Sequence, residues 1–167
     1  MSQKISLGTS KNGMSVWYDN VSSHAATHIN DTPGLEALAA EITKNTYLTG
    51  DFMQFHTDMG RVVGTCDLVD IEPGDEIVYA KRLNRDNYSA FNLSKGPQPS
   101  SLVTTVYEKR EDGTYELSSA WVGPSDSPSF PGSERETPDS KKYWATHALA
   151  WGTQEIQPST KTTTCPW

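Results

Sequence analysis

Residues 102–123 restrict the fold more than any other part of the chain. The run Leu102–Tyr107, LVTTVY, is rich in β-branched side chains, whose stiff χ1 suits a pleated strand. Glu111-Asp112-Gly113 follows, and Asp-Gly is favoured in tight hairpin turns because it tolerates positive φ. The chain then returns as TYELSSAWVG, residues 114–123, a second strand. Strands joined so closely pair antiparallel, so the protein is expected to be built on an antiparallel sheet.

A second pair of runs points the same way. RVVGTCDLVDI, residues 61–71, is apolar at both parities, as in a strand covered on two faces. Gly64 inside it predicts a bulge or a close backbone approach. Glu72-Pro73-Gly74-Asp75 reads as a turn, and EIVYAKR, residues 76–82, as the next strand, antiparallel to the first. Together the four runs predict a four-stranded, mainly antiparallel sheet.

Two helices complete the expected frame. Thr32-Pro33 places a hydroxyl at the cap and a proline where its missing N–H is harmless. Leu35, Leu38, Ala39 and Ile42 then fall at i, i+3, i+4 and i+7, one apolar stripe. This helix is expected to end between Tyr47 and Gly50 and to pack on the sheet. A C-terminal helix is expected from Thr137-Pro138 or Ser140 through KKYWATHALAW to Gly152, with Trp144, His147, Ala148 and Trp151 on one face. Residues 1–31 read as an irregular N-terminal segment apart from a short strand at Met14–Tyr18. Residues 124–137 read as a long Pro- and Ser-rich loop, and 153–167 as a polar, flexible tail. The fold class is therefore α+β, a single domain over residues 1–152 with the C-terminal helix packed on the sheet.

Composition sets outer limits on function. A chain of 167 residues is long enough to bury a core without disulfides or metals. Cys66, in a strand-like run, and Cys165, in the tail, have no zinc spacing and make an improbable disulfide. No stretch approaches a membrane span, and Met1–Asn20 lacks a continuous apolar segment, so a cytoplasmic location is expected. The net charge of −7 argues against general adhesion to nucleic acid. Between Lys81 and Lys95 the sign reverses locally, with Lys81, Arg82, Arg85 and Lys95 against Asp86. His24 and His28 have the four-residue spacing of helical metal ligands but no third ligand at a fixed offset. No metal and no cofactor is expected.

No phosphate loop, dinucleotide fingerprint or nucleophile elbow occurs, so chemistry has to be sought in scattered residues. His56, flanked by Thr57 and Asp58 just before a strand, can exchange a proton near neutral pH, as any surface histidine can. Arg82 at the end of a strand and Arg85 three residues later suit a phosphate or carboxylate, or simply an acidic neighbour. Thr104 and Ser119 are hydroxyls in otherwise apolar strands and can bond a substrate oxygen or the adjacent backbone. His147, between Trp144 and Trp151, reads as a core histidine or as a second proton carrier.

The strings HTDMGRVVG, DEIVYAKR, YELSSAWVG and YWATHALAWG together resemble a family of small bacterial proteins of uncharacterised activity, over about residues 55–152. A looser likeness is architectural: a helix followed by an antiparallel sheet carrying His, Arg and Ser or Thr is similar to the ribonuclease toxin domains related to barnase, EndoU and RelE. That resemblance implies His56 as general acid or base, Arg82 or Arg85 as phosphate clamp, and Thr104 or Ser119 as the hydroxyl near the scissile phosphate. The acidic net charge and the closing helix depart from the toxin pattern. The expected function is a metal-independent endoribonuclease acting on RNA. The alternative is a non-enzymatic interaction module for a protein partner or inhibitor, presenting Trp121, Trp144, Trp151 and the 124–137 loop. A thinner third reading is ADP-ribosyl transfer, from Arg82, Ser118-Ser119, Glu134 and Glu136 in sequence order.

Overall fold

The structure, a computed structural model, describes residues 3–21, 23–124 and 127–167. Eleven strands and three α-helices follow one another among them. In chain order these are β1 (Lys4–Thr9), β2 (Ser15–Asp19), α1 (His24–Asp31), α2 (Leu35–Lys44), β3 (Phe52–Asp58), β4 (Gly64–Cys66) and β5 (Leu68–Asp70). Then come β6 (Ile77–Lys81), β7 (Tyr88–Asn92), β8 (Gln98–Ser100), β9 (Leu102–Lys109), β10 (Tyr115–Val122), α3 (Ser140–Trp144) and β11 (His147–Ala150). The class is α+β. The chain divides into two compact units, one of residues 1–64 and 100–125, the other of residues 65–99 and 126–167.

The first unit is a five-stranded sheet in the order β1-β2-β10-β9-β3. The β9–β10 hairpin lies inside it, closed by the Arg110 N–H donating to Thr114 O at 2.8 Å and by Gly113 at φ +84°. β2 joins β10 in parallel and β3 joins β9 antiparallel. The apolar stripe of α2 does what its spacing predicts: Leu35, Leu38, Ala39 and Ile42 are all buried, with Val103, Tyr107, Leu117 and Ala120 in the same core. Each large aliphatic side chain so covered stabilises the fold by about 1.5–3 kcal/mol. The helix begins at Leu35, after Gly34 at φ +85°, so Thr32-Pro33 lies in the turn before it. The stretch 1–31, expected to be irregular apart from a short strand at Met14–Tyr18, holds that strand as β2 and in addition β1 and α1, the last capped by Ser23 Oγ accepting from the Ala26 N–H at 3.0 Å.

The second unit has a four-stranded sheet in the order β5-β11-β7-β6. Its core holds Val78, Ala80, Phe91, Phe130, Trp144, Ala148 and Leu149. The single four-stranded sheet is thus corrected to several sheets. The 61–71 run breaks into β4 and β5, and β5 pairs with β11, while β6 pairs with β7. The expected C-terminal helix is also corrected. It ends at Trp144, and His147–Ala150 form a strand between β5 and β7. Residues 153–167 run beside β6: Thr162 and Tyr79 exchange both backbone bonds at 2.8 Å, and the Gln157 N–H donates to Lys81 O at 2.8 Å. No helix among the described residues is long and apolar enough to cross a membrane.

Candidate functional site

β3 supplies the first candidate. His56 sits in the middle of this strand, not before it, because FMQFHTD alternates between half-buried and exposed side chains over seven residues. Register places His56 opposite Thr104 on β9, and Thr104 opposite Trp121 on β10. Directly paired residues share a sheet face, so His56, Thr104 and Trp121 form one cross-strand row. The adjacent row is Gln54, Val106 and Ser119. Ser119 reaches that face because the register shifts between Leu117 and Ser119.

The hydroxyl of Thr104 is buried and donates to Gly123 O at 2.8 Å. His56 Nδ1 lies 3.5 Å from the same oxygen. With its only proton committed to Gly123, Thr104 Oγ1 can act toward the ring only as an acceptor. This favours the tautomer with the proton on Nδ1, which puts the lone pair on Nε2. The exposed imidazole thus has Nδ1 at the outer edge of hydrogen-bond distance from a hydroxyl whose own direction the backbone fixes.

Trp121 is held in the same row by its indole N–H, which donates to Pro124 O at 3.1 Å, and its ring centroid lies 6.2 Å from that of His28. His28 and His24 stand 6.3 Å apart on α1. Among the described residues no group of three or more His, Cys, Asp or Glu side chains is arranged to hold a metal ion.

The remaining candidates belong to the second unit. Arg82 is half-buried, its guanidinium carbon 5.6 Å from the Phe130 ring centroid and its Nη1 donating to Gln154 Oε1 at 3.3 Å. Among the described residues its Nε is buried without a partner. Burial, and after it the charge of Arg85, pull its pKa below the usual arginine value. Arg85 is exposed, and its backbone carbonyl accepts from Gln157 Nε2 at 2.9 Å. His147 opens β11 rather than facing a helical core. Its Nε2 is 3.2 Å from Asp70 Oδ1, its Nδ1 3.0 Å from Tyr143 O, and its ring stacks on Tyr143 at 4.0 Å. So His56, Thr104 and Ser119 share one sheet face, while Arg82, Arg85 and His147 belong to the other unit.

The tryptophans of the interaction reading are packed within their units. Trp144 is buried against Phe130 with centroids 3.8 Å apart, and its N–H donates to Pro128 O. Trp151 meets Phe91 edge-on at 5.6 Å. Of the 124–137 loop, Ser125 and Asp126 lie outside the described residues. Sequence reasoning missed Gln54, Gly123 and the place of Trp121 beside His56. The signal for β3 was the alternation of Met53, Phe55 and Thr57 with Gln54, His56 and Asp58; nothing local could have supplied the cross-strand row. Comparison with protein families, with curated proteins and with solved structures finds no match.

Proposed function

We propose that this protein is a metal-independent endoribonuclease in which His56 is the general base. The observation that carries the reading is the bond geometry at Thr104: a buried hydroxyl, itself bonded to Gly123 O, faces Nδ1 of an exposed histidine. A base whose second nitrogen is held by another group is the recurring arrangement for proton abstraction. Nε2 takes the proton of a ribose 2′-hydroxyl, the 2′-oxygen bonds to phosphorus, and the bond to the 5′-oxygen breaks. That oxygen leaves with a proton from solvent, giving a 2′,3′-cyclic phosphate and a 5′-hydroxyl. Trp121, in the same row, offers a ring on which a base can stack. The burial of Trp144 and the packing of Trp151 leave the interaction-module reading with less support.

The test is incubation of wild-type and His56→Ala protein with a defined oligoribonucleotide in the presence of a chelator. Wild type is expected to release fragments with cyclic phosphate ends, and His56→Ala to be slower by about 10²–10⁴-fold, the usual worth of a positioned acid/base group. Equal cleavage by both, with the same far-UV spectrum, removes His56 from the mechanism; no cleavage by either removes the ribonuclease reading.

A further inference from the structure

The second unit contains an open cavity of about 410 Å³ that the His56 row does not involve. Its size falls in the range of small-molecule sites, about 300–1,000 Å³. Tyr88 and Trp167 supply aromatic surface, Lys81 and Lys141 cationic groups, and Asp86 and Glu136 carboxylates.

Charge is the informative feature. Among the described residues, neither lysine ammonium makes an ion pair, and neither does Asp86. Lys81 Nζ lies 5.4 Å from the Tyr88 ring centroid. Glu136 uses Oε1 to accept from the Gly132 N–H at 2.7 Å, which ties the carboxylate to the rim and leaves Oε2 for another donor. Four charged groups, two of each sign, thus line one concavity without neutralising one another.

Trp167 is fixed there by the strand-like C-terminal segment. Its ring meets Tyr79 edge-on at 5.3 Å and lies 6.3 Å from Phe130. Tyr79 in turn is bonded through its backbone to Thr162. An aromatic side chain held in this way is a stacking platform with little ordering entropy left to lose.

A ligand that matches this lining has a flat aromatic part, an anionic end for the lysines and N–H donors for the carboxylates. A nucleotide whose base bears an exocyclic amine has all three. We infer that the cavity binds one nucleotide unit of single-stranded RNA, its base on Trp167 and its phosphate between Lys81 and Lys141. The choice of RNA as the polymer rests on the ribonuclease reading above; the nucleotide chemistry rests on the cavity.

The test uses a 2′-O-methyl tetraadenylate, which lacks the attacking hydroxyl and so reports binding whether or not the protein cleaves RNA. Calorimetric titration of the full chain is expected to show binding that weakens about tenfold in Trp167→Leu, the loss of one stacked base. Lys141→Ala, at an exposed position where folding is not at risk, is expected to weaken it about fivefold through one lost phosphate contact. Absence of binding by wild type overturns the inference, as do unchanged affinity in Lys141→Ala and equal displacement by inorganic phosphate at the same concentration. Loss of the ribonuclease reading would appear separately, as absent cleavage of unmodified RNA.

Discussion

At His56 the deciding group is a hydroxyl that a sequence reading cannot rank. Thr104 and Ser119 look alike along the chain, each a small polar residue among apolar neighbours. Cross-strand register separates them, because only Thr104 stands opposite the histidine, with its hydroxyl 3.5 Å from Nδ1. Thr104→Val removes that acceptor while conserving shape. It is expected to lower cleavage about tenfold and to displace the pH–rate profile, with Thr104→Ser restoring both; a uniform loss in the two variants would assign Thr104 a packing role only. Deeper in the same unit, Tyr107 is fully buried, with its hydroxyl 2.9 Å from Thr43 Oγ1. Burial raises its pKa above 10.0, with Thr43 and Thr105 opposing. The unfolded chain ionises this phenol first, so its contribution is whole below pH 10 and falls as pH rises beyond that value. Tyr107→Phe is expected to cost about 1 kcal/mol at neutral pH and to flatten the alkaline limb of stability in urea melts.

Among the elements, those with strong local signals formed where the sequence puts them: the α2 stripe, the β9–β10 hairpin and the short strand at β2. Those that depend on a distant partner did not. YWATHALAW carries helical spacing, yet a short apolar run suits a strand equally well, and Ala148–Ala150 are buried on pairing with β5 and β7. The helix is ended locally by the Thr146 hydroxyl and the His147 ring, both bonded to Tyr143 O. Gly64 was legible as a point of close approach. A Cβ built there would meet Val122 Cγ2 at 3.0 Å. Gly64→Ala is therefore expected to destabilise the protein by about 1–2 kcal/mol, and Val122→Ala in the same chain to recover part of it, since overpacking is relieved by removing the opposing methyls. Additive losses in chemical denaturation would disprove the clash. For the segment beside β6, Thr162→Pro deletes the N–H that donates to Tyr79 O. Faster amide exchange at Tyr79 and Lys81 is expected, with the β9 amides unchanged.

On the scale of the whole molecule, the two units are interleaved in sequence, with three crossing points, after residues 64, 99 and 125, the last of them inside the Ser- and Pro-rich loop. That interleaving is why the chain reads as one domain, and why Arg82 and His147 read as partners of His56 although they belong to the other unit. Net charge acts at this scale too. A protein of −7 repels a polyanion at long range, so any affinity for RNA has to come from a few placed cations rather than from the overall field. If Lys81 and Lys141 together neutralise one phosphate, counterion release from a single strand gives a slope of log affinity against log salt of about −0.7. Screening of the general repulsion makes the observed slope shallower still. Titrating the 2′-O-methyl tetraadenylate between low and moderate salt should therefore give a weak dependence, weaker again in Lys141→Ala. A slope steeper than about −3 would require more than four phosphate contacts, and so a basic surface beyond this cavity.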